Sequence, residues 1–203
     1  FLIAVDYKDS QLLDDFDRRV SELDLKSDYG EAFHIDYTVI PWSKVKKVEK
    51  KFFVFESKQC GIELGNRSVS ESLPVVDRSN LNWKELNEVV LHRMNSILHA
   101  IPVSLFESKM SEMENRTFAL NLAKNSLDLT TWLHPYESDK LTAGFTARTE
   151  SWDKEFLKKS QFGSYFSEEN IKYIKDCLDL RKEPCSDVDV VYMLGQTLLL
   201  YKK

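Results

Sequence analysis

Residues 81–102 constrain the fold more tightly than any other stretch. Asn82 supplies an N-cap oxygen, Glu85 follows three residues later as in a capping box, and Leu81 can staple onto Leu86. Trp83, Leu86, Val90, Met94, Ile97 and Ile101 recur at helical spacing, and Pro102 stops the run. A helix with such a stripe needs an apolar surface to cover it. With 203 residues, 42% apolar and 30% charged, the chain can build one. Six glycines and five prolines are too few for a sandwich of many tight hairpins.

The remaining elements follow from the same periodicities. Phe1–Val5 is a compact apolar run and reads as a buried strand, followed after Ser10 by a helix over 11–23 through Leu12, Leu13, Phe16, Val20 and Leu23. Residues 32–40 alternate as a second strand that Pro41 closes or places on an edge. Lys51–Lys58 reads as a third strand. Residues 65–80, rich in Ser, Asn, Gly and Pro, are the best boundary signal. Residues 103–133 carry helical patterning of imperfect period, as one helix or two, which His134-Pro135-Tyr136 breaks. Ser167-Glu168-Glu169 opens a further helix with Ile171, Ile174, Cys177 and Leu178 facing inward. The end, Val188–Met193 and Thr197–Tyr201, reads as a bulged strand or hairpin. The expectation is a single α+β domain over 1–203, its small mixed β-sheet packed against several helices.

One place carries chemistry in its spacing. The run Phe52-Phe53-Val54-Phe55 ends in Glu56-Ser57-Lys58, with Asp36 in the strand-like run upstream. Nucleases of the PD-(D/E)xK type hold Mg²⁺ or Mn²⁺ between two carboxylates and position water with a lysine. On a strand the period of two puts Glu56 and Lys58 on one face, and Asp36 on an adjacent strand would complete the catalytic set, Asp36 and Glu56 as metal ligands. His34 would share the face of Asp36, with Glu22 or Glu31 as an added ligand. The Pro-Asp dipeptide of that pattern is missing, and E-x-K arises about once by chance in a chain this rich in Lys and Glu.

Lys44, Lys46, Lys47, Lys50 and Lys51 form the densest basic cluster, beside Trp42 and Phe52-Phe53. They are the candidate nucleic-acid contacts, set against an ordinary reading as a solvated, lysine-guarded edge. A net charge of −5 argues against a surface that tracks a phosphate backbone throughout. Glu88 and His92 at i,i+4, with His99 further along, resemble a helical zinc pair without a third ligand. Cys60, Cys177 and Cys185 show no metal spacing, and there is neither a nucleophile elbow nor a phosphate loop.

Elimination leads to a non-enzymatic protein-interaction or assembly subunit of a larger intracellular complex. The expected partners are proteins, with nucleic acid second and no membrane. No cofactor is expected; Mg²⁺ or Mn²⁺ enters only if the nuclease alternative holds. The terminal apolar segment is the expected docking edge. Sparse cysteines place the chain in a reducing compartment, and two Asn-x-Ser/Thr sequons, at Asn66 and Asn115, do not overturn that.

Overall fold

A computed structural model describes residues 2–5, 14–16, 18–19, 22, 38–63, 68–107, 109–137, 140–152 and 163–202. The chain divides into two compact units, Phe1–Leu81 and Asn82–Lys203. The described residues are predominantly helical, which overturns the expected α+β fold with a small mixed sheet. Strand pairing among them is confined to a short parallel ladder, β1 (Leu2–Val5) with β2 (Thr38–Pro41), in register Leu2↔Thr38 to Val5↔Pro41.

In the N-terminal unit, the described residues within 14–22 are helical, and Arg18 bridges Asp15 and Glu22 one turn away on either side. Pro41 ends β2 and leads into a 3₁₀ segment, Trp42–Lys47, which buries Val45. The third expected strand is instead helix α1, Phe52–Cys60. A run as short as Phe-Phe-Val-Phe fits a buried strand or one turn of helix equally well; here the Val54 and Phe55 N–H groups both bond the Lys51 carbonyl, as at a helix start. Phe52 and Val54 go inside while Phe53 is 43% exposed, and Phe52 and Phe55 meet at 5.8 Å between ring centroids. Gly61 closes α1 because a Cβ there would collide with the Ser57 carbonyl oxygen. Helix α2 (Val69–Ser72) starts on Ser68, whose hydroxyl accepts from the Glu71 N–H.

In the C-terminal unit, α3 (Trp83–Ala100) begins as the sequence predicts: the Asn82 side chain accepts from the Lys84 N–H, and the helix ends before Pro102. Ile97 is buried, Trp83, Val90 and Ile101 are half-buried, and Met94 sits at the margin, 40% exposed. A short helix α4 (Val103–Phe106) precedes α5 (Glu112–Glu137), then α6 (Phe145–Ser151), α7 (Glu168–Lys182) and α8 (Val190–Lys202). α5 is the centre of the unit: α3, α6, α7 and α8 all pack on it. Its buried residues, among them Phe118, Ala119, Leu122, Ala123, Leu127 and Leu133, cover more than half of the circumference, a band too broad to read as a single stripe, while Asn121, Lys124 and Asp128 lie on the less buried side. The expected break at His134-Pro135-Tyr136 does not occur. Pro135 is buried in the last turn, where its missing N–H forfeits one hydrogen bond and packing holds the helix together.

α7 is capped by Ser167 and Asn170 bonding reciprocally, and Ile171, Ile174, Cys177 and Leu178 face inward. The expected terminal strand or hairpin is helix α8. Val190, Met193, Thr197 and Leu200 are its buried positions, a spacing of three, four and three that only a helix aligns.

Candidate functional site

The helical state of 52–60 removes the geometry the nuclease pattern needs. Two residues apart on a helix, Glu56 and Lys58 point about 200° away from each other rather than to one face. Lys58 is committed elsewhere: its ammonium donates to the carbonyls of Ser70 at 2.7 Å and Leu73 at 2.8 Å, fastening the chain that leaves α2 back onto α1. Asp36, His34 and Glu31 lie outside the described residues.

Lys44, Lys46 and Lys47 are exposed on the 3₁₀ segment, with Val45 turned inward between them. Lys50 donates to Asn80 Oδ1 at 3.4 Å and Lys51 pairs with Glu49 at 3.3 Å, so two of the five expected phosphate contacts already have local partners. On α3, His92 and His99 are exposed, and the His99 ring nitrogen Nδ1 lies 2.9 Å from the Asn95 carbonyl oxygen. Among the described residues no three His, Cys, Asp or Glu side chains group as a metal site.

The C-terminal unit does bury polar chemistry. Tyr173 donates to the Met193 carbonyl at 3.0 Å and shares a hydrogen bond with Thr197 at 2.8 Å, while Thr197 and Ser126 stand 3.0 Å apart. This chain of hydroxyls ties α5, α7 and α8 together in a dry interior and fixes their register. Cys177, beside it, has its thiol pushed up to about 12 by burial, which leaves it neutral and unreactive. All three cysteines are free thiols, with Cys60 and Cys185 exposed.

A second buried group lies at the end of α5. His134 Nδ1 is 3.4 Å from the Ser151 hydroxyl, and Ser151 donates to the Arg148 carbonyl at 2.6 Å. The serine proton is thereby spent on backbone. Burial and the neighbouring Arg148 charge lower the His134 basicity, keeping the ring neutral at pH 7. Arg148 is wholly buried and lies 5.0 Å from the Phe145 ring, with Arg181 5.4 Å from the same ring. Asp128 is partly buried, and burial raises its carboxyl, while the Arg93 guanidinium at 2.7 Å draws it back down. These groups join helices; their arrangement presents no nucleophile with a base able to take its proton.

Trp152 is buried edge-on to Phe166 at 5.2 Å, and half-buried Tyr136 packs between Trp83 and Trp132 at 4.3 and 5.5 Å.

What remains at the surface is apolar helix. On α3, Leu91 is 66% and Leu98 60% exposed, one heptad apart with Met94 between them. Val103 and Phe106 follow on α4, also exposed. On α8 the side opposite the buried one presents Val191, Tyr192, Leu198 and Leu199. The sequence reading flagged the α8 segment only as a strand edge for docking, and on α3 it attended only to the stripe that runs through Ile97. No described helix is long and apolar enough to cross a membrane. No protein-family model, curated protein or solved structure matches this chain.

Proposed function

We propose that this chain is a non-catalytic protein-interaction or assembly module, working through the apolar helical faces of its C-terminal unit. The observation that carries the reading is α8, which is apolar on both sides. A helix without a polar side belongs in an interior, yet the described residues cover only one side of α8. The interior supports the same reading, since the Tyr173, Thr197 and Ser126 hydroxyls are engaged in joining helices and its thiol and imidazole are held neutral.

The test is photo-cross-linking in the native cell, with a photoreactive residue placed singly at Leu91, Phe106 or Tyr192 and, as polar controls, at Glu169 or Lys175. The expected outcome is adducts of defined mass from the apolar positions and none from the controls. Equal, diffuse labelling at every position, or no adduct anywhere, overturns the proposal.

A further inference from the structure

We propose that the outer face of α8 is a self-association surface, on which a second copy of this chain lays its own α8 antiparallel, the two helices crossing at Gly195. This rests on the interaction reading above and names the partner.

The exposed apolar residues are disposed symmetrically about the glycine. Tyr192 and Val191 stand three and four residues before it, Leu198 and Leu199 three and four after. On a helix these positions share one side with Gly195 at its middle, and all four side chains are 43–64% exposed. A two-fold axis through Gly195 therefore sets Val191 of one copy against Leu199 of the other and Tyr192 against Leu198, every contact occurring twice. That is the self-complementarity an isologous dimer requires.

Charge follows the same symmetry. Val190 to Tyr201 contains no Asp, Glu, Lys, Arg or His, so no like charges meet along the seam. Beyond it, exposed Lys202 falls at the start of the second copy's α8, where the exposed Asp187 and Asp189 precede Val190.

Gly195 supplies an independent observation. A Cβ built there would meet nothing within 4 Å, so packing within the chain does not call for glycine, although glycine weakens a helix interior. It does allow a second backbone to approach closely at the crossing point. The four side chains offer roughly 400 Å² per copy, about half of what a standard interface takes from each partner, so the dimer is weak, with Kd on the order of tens of micromolar.

The test is sedimentation equilibrium of the full chain from about 1 to about 300 µM, together with cross-linking of a Cys60→Ser/Cys185→Ser/Gly195→Cys variant. The wild type should move from monomer to dimer across this range. Leu198→Glu or Val191→Lys should raise Kd at least tenfold with helical content and Tm unchanged, since both side chains face outward. Under mild oxidant Gly195→Cys should give a covalent dimer, and Glu169→Cys in the same background should not. A monomer at every concentration, or a dimer that ignores Leu198→Glu and leaves Gly195→Cys unlinked, overturns the proposal. If self-pairing fails while Tyr192 still cross-links to a different protein in the cell, only the identity of the partner is wrong. If both fail, the interaction reading falls with it.

Discussion

Helices α5 and α8 are both rich in apolar residues, and they sit in different surroundings. α5 is packed by α3, α6, α7 and α8, so its apolar residues from Phe118 to Leu133 are all at least partly covered. α8 leans on α5 with one side and shows Val191, Tyr192, Leu198 and Leu199 on the other. The difference teaches that an apolar residue on a helix carries no fixed meaning. At Leu127 or Leu200 it holds the unit together; at Leu199 it contributes little to the isolated chain and is available for a partner.

The strongest challenge to this contrast is truncation inside the two helices. Leu127→Ala and Leu200→Ala each remove a side chain almost wholly shielded from water, and each should cost about 3 kcal/mol in urea unfolding of the C-terminal unit. A cost below about 1 kcal/mol at Leu200 would mean that even the inner side of α8 is loosely seated. Next in size is Thr197→Val, which keeps the shape and removes the hydroxyl shared with Tyr173 and Ser126. It should cost about 1–2 kcal/mol, measured in the same way, because Ser126 loses its partner in a dry site.

A pH series sharpens the comparison where the two helices meet α7. The folded chain keeps the Cys177 thiol protonated up to about 12, against an ordinary value of 9.0 once unfolded. With the folded value raised, its contribution is complete below pH 9.0 and declines as pH rises toward 12. Tyr173 and Tyr201 are raised by burial too and act in the same direction at higher pH. The urea midpoint should therefore fall above roughly pH 9, and Cys177→Val should flatten the first part of that fall. A midpoint independent of pH would show the interior open to water. The smallest effect is expected on the outer side of α8: Leu199→Gln should change stability by no more than about 0.5 kcal/mol, again from urea midpoints.

The parts of this fold legible in the sequence are those where a cap and a stripe coincide. Asn82 and Pro102 bracket α3, and Ser167 with the Ile171, Ile174, Cys177, Leu178 spacing marks α7. Elsewhere the signals compete. Phe52 to Phe55 is too short for its period to be read, and its strand assignment carried the whole Glu56–Lys58 proposal with it. The terminal segment misleads because β-branched Val190 and Val191 and the interrupting Gly195 mimic a bulged strand, while the helical spacing of Val190, Met193, Thr197 and Leu200 is hidden among other apolar residues. Pro135 suggests an end because its cost is local, whereas the packing that outweighs it comes from helices distant in sequence. The exposed face of α3 was not legible as a site, and that of α8 was legible only as a strand edge, for a related reason. Which side of an apolar helix is left bare depends on neighbours that periodicity does not name.

The central placement of α5 also sets the order in which the C-terminal unit can loosen. A peripheral helix such as α8 can swing away while the others stay docked, so its peptide hydrogens trade with deuterated solvent through a partial opening. Those of α5 between Phe118 and Thr130 become accessible only when the surrounding helices release together. Isotope uptake along the chain should therefore be slowest in the middle of this unit, and the free energy read there is that of the whole assembly of helices.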